Sequence, residues 1–407
     1  MKVLIVNMYY YPNLIGGAEH SMKLLAEGLA NRGVEVGVLT LDGSLKNTIE
    51  REEINRVLIY RIYDQHIYER RILHDSSHIS DALINGLHSI INLSVRKYIK
   101  KVVTDFRPDI IHTNNLVSMS YWVWNLADKK NIPVVHTLRD YWLLDPTTII
   151  NGSPRIITVP FRNITRRMSN NHSLFITAPS KRTIQLFKEF GFFCNSRNEC
   201  VVNCIDFKND LLKKSMNEKL KRKSEDIVFL YAGMLSENKG LRYMLQAFKA
   251  ADIKQATLKI CGDGPLLNEI KELSKKDSRI IVTGRISSKS LAHEYQKADV
   301  LIVPSLWEEP FGRIVIEAAQ YAVPTIGSDG GGIPETIKSI KFGECYHRYN
   351  VNELKDKIIR FSSRRYLKKI ISYGPQGLDK YSQLEQIEHF YKIYKTILGT
   401  EEKYNIG

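Results

Sequence analysis

The chain has 407 residues, of which 43% are hydrophobic and 25% charged, and its net charge is +15. It is long enough for two domains with separate cores, and its composition is ordinary for a globular protein. Its apolar runs are strand-sized, which excludes a membrane-spanning helix; VLIVNM after Lys2 leads into YYYPNLIGG and reads as a first strand, not a secretory signal. Strands are predicted at KVLIVN, VEVGVLT, RVLIYRI, DIIHT, PVVHTL and LFITAPS. Helices alternate with them, including EHSMKLLAEGLANRG with Gly33 as its stop, and SKRTIQLFKEFG with Ser180 as cap and Gly191 as stop.

CVVNCIDFKND and the lysine-rich 212–223 stretch follow, polar and poorly periodic, which places a domain boundary there. A second alternation then runs through DIVFLYAG, ATLKICG, RIIVTG, ADVLIVPS and VPTIGS. In the last segment, Leu384, Ile387, Tyr391, Tyr394 and Leu398 stand at helical spacing and are expected to pack one face. Alternating strands and helices predict an α/β fold of two Rossmann-like, doubly wound parallel-sheet domains. The divisions are 1–205, 206–375 and a C-terminal helical segment, 376–407, returning toward the first domain. Such sheets bind ligands at the carboxyl ends of their strands, here in a cleft between the domains.

Five cysteines without zinc spacing read as free thiols in a reducing cytoplasm. The positive charge suits an anionic partner. No nucleic-acid module is present, which leaves sugar nucleotides or an acidic membrane face. VRKYIKK at 95–101 and NITRRMS at 163–169 point to peripheral contact with the inner face of the cell membrane, a solvated surface being the alternative.

The richest segment is SLWEEPFGRIVIEAAQYAVPTIGSDGGGIPE, residues 305–335. Glu309 and Glu317 flank seven residues between a buried strand and a helix whose first position is expected at Pro310. On one helix the two carboxylates would lie roughly 12 Å apart along the axis. The free N–H groups at such a helix start favour an anion, so the pair suits the hydroxyls at the two ends of a sugar nucleotide.

Four other loops open on the same predicted side. Gly16 and Gly17 let backbone approach a phosphate where a helix begins, without the spacing of a nicotinamide site. Lys239 lies at a strand-to-helix junction, where a lysine can pair with a diphosphate. The loops at Gly262 and at Arg285 end two further strands. The chain has no D-x-D, no H-E-x-x-H and no metal-spaced cluster. No metal or other cofactor is therefore expected, and Lys239, helix N-termini and Arg285 would supply the positive charge.

These residues resemble the donor-site signature of the retaining GT-B glycosyltransferases of group 1, the family 4-like enzymes with the E-x7-E pattern. The likeness is strongest from Tyr231 to Glu335, with weaker matches at GGAE, PDIIHTNNL, VVHTLRDYWLLDP and NCID. It implies transfer of a hexosyl-type sugar from a nucleoside-diphosphate sugar, with retention, to a polysaccharide or lipid-linked glycan. Glu309 would bind donor-sugar hydroxyls and Glu317 the ribose. Lys239 would neutralise the diphosphate, with backbone of Gly16, Gly17, Gly233, Gly262, Phe311 and Gly312 around the donor. Asn114, Arg139 and Asp140 would serve the acceptor side, Arg139 and Asp140 joining Glu309 and Lys239 in catalysis.

The chain departs from the family at three places. Met234 stands where arginine is usual, Arg139 where histidine is usual and Cys204 where glycine is usual. Arginine cannot act as a base but can hydrogen-bond a hydroxyl or phosphate. The first two departures keep open a second reading, a sugar-nucleotide-binding or scaffold subunit of a glycan assembly complex.

Overall fold

The computed structural model describes residues 1–13, 17–42, 44, 45, 48–63, 86, 87, 89–147, 150 and 156–400. The chain divides into two compact units, one of Met1–Cys204 with Gln383–Gly407, the other of Ile205–Ser382.

The first unit begins with β1 (Lys2–Val6), α1 (Gly17–Asn31), β2 (Glu35–Leu41), β3 (Ile49–Ile54) and β4 (Val57–Ile62). After α2 (Leu93–Phe106) come β5 (Ile110–Thr113), α3 (Trp122–Lys129) and β6 (Val134–Thr137). It continues through α4 (Val159–Asn170), β7 (Phe175–Ala178), α5 (Lys181–Glu189) and β8 (Arg197–Cys200). The sheet order is β3-β4-β2-β1-β5-β6-β7-β8, parallel except for the β3–β4 pair. Two edge strands lie outside the predicted set. IEREEI in β3 and RNEC in β8 are mostly charged or polar and exposed, so they lack the apolar run that marks a central strand.

Helices cover the sheet because their apolar residues recur at three- and four-residue spacing. In α2 these are Val95, Tyr98, Ile99, Val102, Val103 and Phe106, while Lys97, Lys100 and Lys101 face solvent. Ser180 caps α5 by accepting a hydrogen bond from the Thr183 N–H, as its sequence predicts.

The second unit contains α6 (Asn209–Leu220), β9 (Ile227–Ala232), α7 (Leu241–Ala251), β10 (Ala256–Cys261) and α8 (Leu267–Lys276). Next are β11 (Ile280–Gly284), α9 (Ser288–Lys297), β12 (Val300–Val303), α10 (Arg313–Gln320) and β13 (Thr325–Ser328). It closes with α11 (Ile333–Ile340), β14 (Gly343–Tyr346), α12 (Val351–Phe361) and α13 (Arg364–Tyr373). All its strand pairs are parallel, in the order β11-β10-β9-β12-β13-β14, with the winding reversing between β9 and β12. The lysine-rich 212–223 stretch holds most of α6 rather than a polar link. Its Lys219 is buried and donates to the carbonyls of Tyr295, Gln296 and Ala298 at the end of α9. Those carbonyls have no partner within their own helix, and an ammonium suits the negative end of the dipole.

The chain then returns to the first unit as α14 (Gln383–Ile397), which packs on α1. The buried stripe differs from the one expected. Leu384 is exposed, while Ile387, Phe390, Ile393 and Tyr394 join the core around Val3, Ile5 and Leu25. Gly28 of α1 makes room for this, since a Cβ there would lie 2.0 Å from Ile387 Cδ1. Each buried apolar side chain of this size contributes about 1.5–3 kcal/mol, so the stripe fixes the helix firmly. A buried polar chain runs from the Tyr394 hydroxyl to His112 Nδ1 at 2.6 Å, then from His112 Nε2 to Thr137 Oγ1 at 2.7 Å. Burial, helped by Arg139 and His136, holds His112 well below its usual pKa, so the ring is neutral.

Candidate active site

Within the second unit, the loops after β9 and β12 meet where the winding reverses. The Leu306 N–H donates to the Asn238 carbonyl at 2.9 Å. Gly240 has φ +72°, and a Cβ on it would stand 1.9 Å from the Pro304 carbonyl oxygen, so only glycine lets the loops close up. This contact brings Lys239 to Glu309. Lys239 Nζ donates to Glu309 Oε2 at 2.7 Å and lies 4.8 Å from the centre of the Trp307 ring. Trp307 Nε1 donates to the same oxygen at 2.8 Å and the Ser305 hydroxyl at 3.3 Å. Three donors thus converge on Oε2, and Oε1 has no partner among the described residues. A carboxylate oxygen has lone pairs for two hydrogen bonds, so Oε1 stands ready for a hydroxyl.

The glycine run holds this loop from the other side. The Gly332 N–H donates to the Glu309 carbonyl at 2.7 Å. Gly331, at φ +63°, passes so close that a Cβ would meet that carbonyl oxygen at 2.1 Å. Sequence reading passed over Glu308 and Arg348. Glu308 is only 2% exposed, and Arg348 reaches its Oε1 at 2.9 Å, Asp329 Oδ1 at 3.1 Å and the Leu306 carbonyl at 3.0 Å. Arg348 comes from the turn after β14, far along the chain, so no local pattern marks it. Removing its guanidinium would leave Glu308 buried beside a lost cation. Arg348→Ala is expected to destabilise the second unit by about 3 kcal/mol. A chemical-denaturation midpoint unchanged from the parent would exclude this clamp.

Helix α10 begins at Arg313, with Gly312 as its cap residue, and not at Pro310. Gly312 takes a left-handed conformation, so the backbone from Glu309 to Phe311 is irregular loop. Glu309 and Glu317 therefore do not lie on one helix, and the axial spacing expected for them does not apply. Among the described residues no acceptor faces the N–H groups of Phe311 and Gly312. The Phe311 ring is buried 6.0 Å from that of Tyr381 and anchors the loop.

Glu317 takes a hydrogen bond from the Tyr295 hydroxyl at 3.3 Å and pairs with Arg313 Nε at 2.9 Å. Burial raises its pKa, and Arg313 and Tyr295 oppose that rise. The N–H groups of Gly233 and Gly262 donate to the carbonyls of Cys261 and Gly284, so they tie strand ends together rather than facing a ligand. Met234 is exposed, and its carbonyl accepts from the Tyr231 hydroxyl at 2.7 Å. Arg285 is exposed just beyond β11, at the sheet edge two strands from β9.

In the first unit, Asn114, Arg139 and Asp140 follow β5 and β6 at their carboxyl ends. Arg139 Nε donates to Asn114 Oδ1 at 2.9 Å, and its terminal nitrogen to Asn203 Oδ1 at 2.7 Å. Asn203 is a further residue the sequence reading did not single out, although the NCID motif contains it. The buried Asn114 Nδ2 has no hydrogen-bond partner among the described residues. It lines a small cavity with Tyr121, His136, Thr137, Arg139 and Asp140. His136 turns into the core, bonded to Thr113 Oγ1 at 2.9 Å, and burial pushes its pKa to about 3. Asp140 accepts from the Trp142 N–H at 2.9 Å. Burial pushes its pKa up to about 6, with Glu19 adding to the rise. Gly17 is the first residue of α1, its carbonyl accepting from the Ser21 hydroxyl at 2.9 Å; Gly16 lies outside the described residues.

Among the described residues no cluster of three or more His, Cys, Asp or Glu side chains is placed to hold a metal ion. Among the described residues no disulfide joins any of the cysteines.

Two family models match the chain. Residues 15–209 match the family described as Glycosyltransferase Family 4, and residues 213–376 the one described as Glycosyl transferases group 1. The chain belongs to the group 1 glycosyltransferases. It is a transferase of GT-B architecture. A 42.6 kDa protein of the cps region of Klebsiella pneumoniae is 29% identical to this glycosyltransferase, over 82% of its length and 87% of the relative's. The sucrose-phosphate synthase of Thermosynechococcus elongatus has a similar fold, with a TM-score of 0.74, at 19% identity, over 98% of this chain and 100% of that one. Anabaena HepE in complex with UDP-glucose matches at a TM-score of 0.64 and 15% identity, over 97% of this chain and 100% of that one.

Proposed function

We propose that this glycosyltransferase moves a hexosyl residue from a nucleoside-diphosphate sugar to a polysaccharide or lipid-linked glycan, with retention and without a metal ion. The observation that carries the reading is the Lys239–Glu309 pair, with Glu309 Oε1 and the Phe311 and Gly312 N–H groups left without partners among the described residues. A diphosphate accepts from Lys239 and from those N–H groups, while sugar hydroxyls donate to Oε1. Glu317 receives the ribose hydroxyls through the lone pairs that Tyr295 and Arg313 leave unused. The UDP-glucose held by HepE and the cps location of the Klebsiella relative support a sugar nucleotide and a cell-surface glycan.

In the reaction, the bond from the anomeric carbon to the β-phosphate oxygen breaks. The acceptor oxygen bonds to that carbon on the same face, and its hydroxyl proton passes to the departing diphosphate. Lys239 and the loop N–H groups lower the barrier by stabilising the charge that develops on the leaving group. Since the phosphate takes the proton, Arg139 need not act as a base. Its guanidinium and Asn114 Nδ2 orient the acceptor, and Asp140 accepts from a second acceptor hydroxyl beside the attacking one.

Thermal shift with UDP-, GDP-, ADP- and dTDP-sugars tests the reading, since a bound donor raises the melting temperature by mass action. One series is expected to stabilise the enzyme equally with and without a chelator, and NMR of the product to show the donor's anomeric configuration. Donor binding without turnover on any glycan acceptor, or an inverted product, would overturn it.

Asp140 adds a pH signature. Its folded pKa, about 6, lies above the usual carboxylate value, so ionisation of the folded enzyme is complete only above that pH. As pH rises from the free carboxylate range toward 6, the unfolded chain ionises first and folding stability declines. Below about 6, kcat/KM is expected to fall with the ionised fraction. Asp140→Asn is expected to flatten that limb; an unchanged limb would assign it to another group.

A further inference from the structure

We propose that one end of the first unit is a docking face for an anionic phospholipid bilayer, formed by the starts of α2 and α4. Exposed aliphatic residues concentrate there. Ile156 is 87% exposed and Ile157 60%, in the helical turn that leads into α4, and Ile164 continues the line seven residues on. Leu93 is 66% exposed and Ile91 56%, at the start of α2, with Leu87 close by in sequence. Single exposed aliphatics are ordinary, but six drawn from two adjoining stretches are not. The stretches touch: a Cβ on Gly86 would lie 2.8 Å from Phe161 of α4 and 3.1 Å from Pro146. The Ser120 hydroxyl, in the loop after β5, bonds the Ile90 carbonyl at 3.2 Å.

The charge around these residues has the matching sign. Arg166 and Arg167 are exposed on α4, whose inner face is Phe161, Thr165 and Ser169. Lys97 and Lys100 are exposed on α2. Aliphatic tips flanked by cations fit a membrane interface, where acyl chains take the apolar groups and anionic headgroups the basic ones. The positive ends of both helices point the same way. No described helix is long and apolar enough to cross a membrane, so the contact would be peripheral.

Topology places this face usefully. Helices that join parallel strands run antiparallel to them, so the starts of α2 and α4 lie at the carboxyl end of the sheet. The chain between β6 and α4 carries Arg139 and Asp140 near one end and Ile156 near the other. A lipid-linked acceptor would therefore present its sugar beside Arg139 while its lipid stays in the bilayer. That purpose rests on the proposed function; the docking itself does not.

Flotation of the full chain with vesicles tests it, without any need for transfer. The chain is expected to float with an equal mixture of phosphatidylglycerol and phosphatidylcholine and to stay behind with phosphatidylcholine alone. The double change Ile156→Asp and Ile157→Asp is expected to lower vesicle partition by about tenfold, as is Arg166→Glu with Arg167→Glu. Lys213→Glu with Lys214→Glu, the same charge change on α6, is expected to leave partition alone. Ile156→Ser with Ile157→Ser serves as a milder pair, and unchanged donor-induced thermal shift shows that each variant is folded. Three results would each overturn the proposal. One is no flotation with the anionic mixture; another is equal loss from the α6 change, which would mean attraction by net charge alone. The third is self-association abolished by the isoleucine changes without vesicle binding, which would make the face a protein interface.

Discussion

Lys239→Ala is expected to reduce kcat by about 10²–10³-fold, the loss typical of removing one preorganised donor from a developing oxyanion. The ammonium is placed by the Glu309 carboxylate and the Trp307 ring, so little reorganisation is needed when a leaving diphosphate forms. The loss should be greater in kcat than in KM, because charge on the bridging oxygen grows toward the transition state. Met234 lies exposed where the family resemblance implies a second cation, so in the proposed reaction Lys239 would bear more of the diphosphate charge. Nucleoside-diphosphate affinity, measured by calorimetry, should weaken as well. An unchanged kcat would remove Lys239 from the reaction.

Glu309→Gln should lower kcat/KM by about 10²-fold through loss of charge-assisted hydrogen bonds to the donor sugar. The substitution is nearly isosteric, and the amide oxygen can still accept from Trp307 and Ser305, so the loop should keep its shape. In the proposed reaction it would lose the negative charge beside an oxocarbenium-like centre and the acceptor at Oε1. Donor affinity should fall while the unliganded melting temperature holds. Unchanged donor affinity and transfer would sink the assigned role. Since Lys239 and Glu309 form one ion pair, the double variant should lose less than the two single losses combined. Strictly additive losses would mean that the pair does not act as a unit.

Much of this site was legible in the chain because the code is local. DIVFLYAG and ADVLIVPS are buried parallel strands, so their apolar runs are nearly unbroken, and the loops after them inherit a known place at the carboxyl edge. Gly240 and Gly331 are legible for the same reason, since each sits where a side chain would strike backbone. The edge strands β3, β8 and β14 were not legible; an edge carries little apolar burial, and β8 and β14 are only four residues long. The start of α10 was misplaced because Pro310 is a common first helical residue, whereas the Gly331 contact holds the Glu309 backbone in a loop.

By itself the sequence determined the class of fold, the family, and the residue types in the loops after β9 and β12, since hydrophobic period and glycine placement act within a few residues. Only the tertiary structure decided how those residues are used. It set three donors on one oxygen of Glu309 and left the other open. It spent the Gly233 and Gly262 amides on strand ends, and brought Arg348 and Asn203 from distant segments to fix Glu308 and Arg139. Hydrogen-bond partners are chosen by proximity in space, and proximity between residues far apart in the chain is a property of the packed fold.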